Sequence, residues 1–137
     1  MIEYVLNTEK FHLSLCFDIY EDEFAYTVNT IMTVSVTSDG FSASADLDID
    51  IKEFVKFAKE LKKVYDSLNG SATIKEPYGY GEYISFIADN RTGHITVKGF
   101  ICDDLRNNEL RFENSFDQTY LKSFSSDLIR LTRNINT

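Results

Sequence analysis

The sequence predicts an α+β fold of about eight strands and two amphipathic helices in the order ββββ-α-ββββ-α. Three observations carry this prediction: apolar residues alternate with period two up to Asp50, the spacing then changes to three and four, and both patterns recur after Gly70. Each helix arrives after a run of strands. The expected architecture is therefore a mainly antiparallel sheet whose apolar face is covered by the two helices.

A short strand is expected at residues 2 to 6. The segment Phe11, Leu13, Leu15, Phe17 and Ile19 then puts five apolar side chains on one face of a strand. Glu21-Asp22-Glu23 follows as a charged hairpin tip, and Val28, Thr30, Met32, Val34 and Val36 resume the alternation. Asp39-Gly40 is a strong hairpin signal, because a tight turn between right-twisted strands needs positive φ at both central positions. Beyond it Phe41, Ala43, Ala45, Leu47 and Ile49 form the fourth strand.

From Asp50 the apolar positions are Phe54, Phe57, Leu61, Val64 and Leu68, with Lys52, Lys56, Lys59, Lys62 and Lys63 between them. This is the stripe of an amphipathic helix. Asp50 with Glu53 reads as a capping-box variant, and Asn69-Gly70 as a left-handed C-terminal cap. Strands are expected next at 71–76, 82–89, 94–102 and 109–115, with Ile95, Val97, Gly99 and Ile101 on one face. A closing helix spans about Gln118 to Asn134, capped by Asp117, with Leu121, Phe124, Leu128, Leu131 and Ile135 as its stripe.

Adding 67 carries Asp50 to Asp117, Phe54 to Leu121, Phe57 to Phe124, Leu61 to Leu128, Val64 to Leu131 and Leu68 to Ile135. One reading is an internal duplication of a meander-plus-helix unit. The other is that any two capped amphipathic helices align this way.

The chain has 137 residues, 43% of them hydrophobic, with 11 Phe and 8 Tyr against 6 Gly and 1 Pro. That is enough apolar volume for one core, which excludes disordered and linker-rich classes. No Pro/Ser/Gly-rich stretch divides it, so a single domain over 1–137 is expected. The N-terminal residues Met1 to Asn7 include an early acid and lack the basic and apolar regions of a signal peptide, and no apolar run approaches the roughly 20 residues that span a bilayer. A cytoplasmic, non-membrane protein is expected. Cys16 and Cys102 lack CxxC or metal-like spacing and read as structural thiols in a reducing compartment.

Fourteen Lys and Arg stand against 22 Asp and Glu, a net charge of −8. Such a surface repels phosphate backbones, which disfavours direct nucleic-acid binding and favours a basic protein partner. The two histidines, His12 and His94, lie on different strands without ligand spacing, and GxSxG, Walker A, GxGxxG and HExxH are all missing. Enzymatic chemistry is disfavoured, and neither a cofactor nor a metal is indicated. Acids cluster at Glu21-Asp22-Glu23, in the alternation Asp46/Asp48/Asp50, and at Asp103-Asp104. Carboxylates at every second strand position repel each other until water, a basic partner or a cation relieves them. The stretch Glu76-Pro77-Tyr78-Gly79-Tyr80-Gly81-Glu82-Tyr83 alternates Tyr with Gly in a connection. Its rings either serve as rigid contact surface or fold back over the sheet edge.

Several stretches together resemble the WapI-type immunity proteins of bacterial polymorphic toxin systems. They are Gly93-His94-Ile95 with Val97 and Gly99, Leu110-Arg111-Phe112, and Asp117-Gln118-Thr119-Tyr120-Leu121, joined more weakly by Phe41-Ser42-Ala43 and the Phe54/Leu61 stripe. These are framework positions. The Gly/Tyr stretch and Asp103-Asp104 depart from the family pattern, where a partner-specific surface is expected to vary. The resemblance implies a non-catalytic protein made beside a toxin, binding the toxin domain and blocking its active site or substrate access; toxins facing such proteins often attack RNA and are therefore basic. On that basis Tyr78, Tyr80 and Tyr83 are expected to be partner anchors, with Glu21, Asp22, Glu23, Asp103 and Asp104 as rim acids. The alternatives are a small-molecule or cation-binding module, or a structural or regulatory domain.

Overall fold

Eight strands and two helices follow one another in the expected order in a computed structural model that describes residues 2–135. They are β1 (Tyr4–Asn7), β2 (Phe11–Ile19), β3 (Thr30–Ser38), β4 (Phe41–Ile49), α1 (Ile51–Ser67), β5 (Ser71–Lys75), β6 (Tyr83–Asp89), β7 (His94–Cys102), β8 (Glu109–Asp117) and α2 (Leu121–Arg133). All strand pairings are antiparallel between sequence neighbours, and the strands divide into two four-stranded sheets, β1-β2-β3-β4 and β5-β6-β7-β8.

The apolar alternation sets the inner faces. Leu13, Leu15, Val34, Val36 and Leu47 of the first sheet, Ile74, Ile84, Phe86, Ile95 and Val97 of the second, and the stripes of both helices form one continuous core. The helices pack on each other, α1 also against β5 and α2 against β1. A chain of rings connects the layers: Phe17 to Phe54 at 4.6 Å, Phe54 to Phe57 at 5.8 Å, Phe57 to Phe86 at 6.2 Å and Phe86 to Phe124 at 6.2 Å. On β7 the buried Gly99 makes room for the Phe112 ring of β8; a side chain there would stand 2.6 Å from its Cζ and would also strike the Tyr83 carbonyl.

Local differences from the sequence reading have local causes. The expected strand at 2 to 6 is shifted to Tyr4–Asn7, where its register with β2 buries Leu6. Glu21-Asp22-Glu23 is not the tip of a tight hairpin but a 3-10 turn within the longer 20–29 connection. The left-handed cap of α1 falls on Leu68 (φ +54), whose N–H donates to the Val64 carbonyl, ahead of the expected Asn69-Gly70. The chain must reverse at once, because the Gly70 carbonyl (φ +82) already accepts from Ala88 N–H of β6. The closing helix begins as a 3-10 turn, Gln118–Tyr120, with Asp117 accepting from Thr119 N–H at 2.9 Å.

Asn29 was invisible to periodicity, yet it is 1% exposed. Its Nδ2 donates to the Tyr26 carbonyl and Asp50 Oδ1, and its Oδ1 accepts from Thr30 and from Ile51 N–H. One side chain thereby holds the 20–29 connection, β3 and the start of α1 together.

Candidate functional site

The antiparallel order puts the 76–82 and 103–108 connections at the same end of the second sheet, and the end of β4 lies beside them. The β5–β6 connection is closed by Glu76 N–H donating to the Glu82 carbonyl at 3.0 Å, so the two acids at its feet face each other. Glu76 then reaches out of its own sheet, and its Oε2 accepts from Asp48 N–H of β4 at 2.9 Å. Gly79 (φ +104) folds directly onto the Glu76 carboxyl, where any side chain would collide. Glu82 is 4% exposed.

Two neighbouring carboxyls removed from water disfavour a double negative charge. Burial, reinforced by the Glu82 and Asp48 charges and opposed by the Asp48 N–H, raises Glu76 to about 7. Burial also raises Glu82, although hydrogen bonds from Cys102, Tyr80 N–H and Glu76 hold it down. The pair therefore retains a proton near neutral pH. Cys102, buried against Glu82, is pushed up to about 11, which leaves its thiol protonated and unreactive.

A hollow of about 130 Å³ opens over this pair, walled by Asp46 and Asp48 on one side and by Tyr80, Asp103 and Asp104 on the other. Asp103 is committed to its own loop: its Oδ1 accepts from Asn107 N–H and its Oδ2 from Asn108 Nδ2, bonds that hold its carboxyl below the usual range. Asp104 is exposed. Tyr78 is 67% and Tyr80 46% exposed. Tyr83 instead sits half-buried on the outer face of the second sheet, in register with Phe100, which is itself opposite Arg111. The Arg111 guanidinium lies 4.3 Å from the Phe100 ring centre, and that of Arg106 lies 5.6 Å from both Phe100 and Tyr80. Tyr80 is thus propped against a cation and remains open on its other side.

Glu21, Asp22 and Glu23 are fully on the surface. Their connection runs past the hollow's flank, since Thr27 and Pro77 line one depression with Asp50 and Glu53. Tyr20 donates to Asp18 Oδ2 at 3.0 Å, and its phenol is raised by that bond and by the charges of Asp18, Glu23 and Asp48. The negative field of the three expected acid groups is therefore shared at one end of the molecule. Periodicity alone gave Glu76 and Glu82 no role. Their signal was that one acid stands at each foot of a turn, where strand pairing must bring them together. Among the described residues, no group of three or more His, Cys, Asp or Glu side chains is arranged to hold a metal ion.

This end of the molecule thus combines an acidic hollow with two exposed tyrosines, Tyr78 and Tyr80. The model of the immunity protein WapI-like family matches residues 4–135. The chain belongs to that family. Membership of the WapI-like family supports an immunity role in general and, with it, a toxin as the kind of partner. No curated protein is significantly similar in sequence. Among solved structures, the plant transcriptional regulator PBF-2 is similar with a TM-score of 0.53 and 8% identity, over 95% of this chain and 79% of that one. At that identity the likeness extends to the fold alone. No helix among the described residues is long and apolar enough to cross a membrane.

Proposed function

We propose that this protein is a cytoplasmic, non-catalytic immunity protein that binds a cognate bacterial toxin domain and blocks its active site or its access to substrate. The observation that carries the reading is the acidic end of this WapI-like chain, where Asp46, Asp48 and Asp104 surround a hollow beside the exposed Tyr78 and Tyr80. Rigid amphipathic rings inside a charged rim are the usual anatomy of a tight interface, which would bury on the order of 1600 Å² in total. Tyr78 and Tyr80 are the anchors. Glu21, Asp22, Glu23 and Asp104 form the rim, Asp103 holds its own loop closed, and the half-buried Tyr83 adds to the contact surface from the outer face of the second sheet.

The net charge of −8 matches a basic toxin, such as one that binds RNA. Opposite charge would raise the association rate by about 10- to 1000-fold at low salt. The test is co-expression of this chain with the toxin domain encoded immediately upstream of its gene, scored for survival and co-purification against toxin alone. Rescue with a stoichiometric, salt-sensitive complex is expected. An active toxin that still kills in the presence of folded protein would overturn the reading.

A further inference from the structure

Four strands lie at sheet edges, and they are not equally protected. β1 is packed by α2 and β5 by α1. β8 carries Glu109, Arg111 and Glu113 at alternate positions, and Asn114 Oδ1 accepts from Ser115 N–H. β4 has β3 as its one ladder partner, with β7 and β8 standing across from its outer edge but not paired to it, and its run Phe41-Ser42-Ala43-Ser44-Ala45 holds no charge, no proline and no bulge. Bare edges of this kind are templates for another strand.

The register fixes which backbone groups are open. Asp39 (φ +49) and Gly40 (φ +88) form a two-residue turn, so Ser38 and Phe41 are a bonded pair and every second residue of β4 pairs with β3 thereafter. Ser42, Ser44, Asp46 and Asp48 consequently turn their N–H and C=O groups to the outer side. Asp48 shows this directly, since its N–H goes outward to Glu76. That carboxyl closes one end of the edge and leaves Ser42, Ser44 and Asp46 open.

A groove of about 280 Å³ runs along this edge, with Phe41, Ala43 and Ala45 on one wall and Ile101 and Leu110 on the other. At the Phe41 end it meets a second depression of about 310 Å³ that shares Phe41 and Leu110. At the other end it shares Cys102 and Asp103 with the acidic hollow. Phe41 is 72% exposed at its mouth. The groove is therefore apolar at one end and acidic at the other.

We propose that the open edge of β4 takes an extended segment of the toxin partner, which adds a fifth strand to the first sheet, sets apolar side chains against Phe41, Ile101 and Leu110, and places a Lys or Arg in the hollow between Asp46, Asp48 and Asp104. This deepens the immunity reading and rests on it. Charge selects the occupant: a basic segment is attracted along the groove by Asp46, Asp48 and Asp104, whereas a second copy of this chain brings the same net charge of −8. Backbone bonds would supply affinity, and the alternating side chains specificity.

The experiment compares amide hydrogen exchange of the free chain with that of its complex with the co-purified toxin domain, and measures the toxin affinity of Ser44→Pro and Phe41→Ser. Proline at Ser44 removes an N–H that β3 does not use, and circular dichroism and the melting temperature verify that each variant is folded. Protection of the Ser42, Ser44 and Asp46 amides only in the complex, with affinity lowered about 10- to 100-fold by Ser44→Pro, is the expected result. Should Ser44→Pro not fold, the same loss of affinity in Phe41→Ser, together with the protection pattern, carries the test. Toxin bound tightly while these amides stay unprotected, or bound equally by the variants, would overturn edge docking and leave the immunity role standing. Protection in the free chain together with a dimer mass would assign the edge to a second copy and overturn the proposal. A wild-type chain that binds no toxin would overturn both.

Discussion

Asp50 and Asp117, 67 positions apart, each accept from a backbone N–H two residues further on, at 3.0 Å from Lys52 and 2.9 Å from Thr119. The pairs Phe54 and Leu121, Phe57 and Phe124, and Leu61 and Leu128 are all buried, and each half is a four-stranded meander followed by a helix. The halves diverge in their connections. The first has its long loop between β2 and β3 and tight turns at 8–10 and 39–40; the second reverses this, with a short 90–93 turn and long 76–82 and 103–108 connections. Antiparallel topology places the long connections of each half at one end of its sheet, and the acidic hollow is where the two ends meet. A repeated frame can therefore carry an unrepeated surface, because frame positions answer to burial and loop positions to solvent and partners.

The two halves depend most on each other through their shared ring chain. Phe57→Ala and Phe124→Ala, equivalent members of the same ring chain, are each expected to destabilise by about 3–5 kcal/mol in urea or thermal unfolding. Both should show a single transition at every probe. Separate transitions for the two halves would mean that the shared core does not couple them. A smaller effect sharpens the difference between the helix starts: Asn29→Ala strands the buried Ile51 N–H and removes support from Asp50, for about 2–3 kcal/mol. Asp117→Ala, with no such buttress, is expected to lose only about 1 kcal/mol.

The acid pair belongs to the junction between the halves, and pH isolates it. Glu76 titrates at about 7 in the folded protein against about 4.5 ordinarily. The folded state thus holds the proton more tightly than the unfolded chain. The stability that this proton gives is full below about 4.5 and is lost as pH rises through about 7. Glu76→Gln, which stays neutral, should match wild type in melting temperature at pH 4.5 and exceed it progressively towards pH 8. A constant offset across that range would show that the carboxyl does not keep its proton. The smallest effect concerns the rim. Lysine at Glu21, Asp22 and Glu23 together should leave stability within about 0.5 kcal/mol, since all three are exposed. It should slow toxin association and flatten its salt dependence, measured by stopped flow at several ionic strengths; unchanged kinetics would remove these acids from the interface.

Much of this fold was legible in the chain because burial imposes a period. Alternation located the strands from Phe11 onward, the 3-4 stripe located both helices, and Asp39-Gly40 was recognisable because few residue pairs accept two positive φ angles. The site was legible in parts. Exposure of Tyr78 and Tyr80 agrees with their Gly-rich setting, whereas Tyr83 was drawn onto the outer face by its pairing with Phe100. Asp103 could not be distinguished from Asp104 in the sequence, since only the closed loop shows which carboxyl its own backbone consumes.

The class, the element order, the apolar faces and the sign of the surface charge are all written in near neighbours or in composition. Long-range packing alone divides the strands into two sheets, carries Glu76 from one to the other, ties a loop to a helix start through Asn29, and sets the edge of β4 across a groove from β7 and β8. Each of these joins residues far apart in the chain. Such pairings depend on how twisted sheets and helices settle around a shared core, and no local period encodes that.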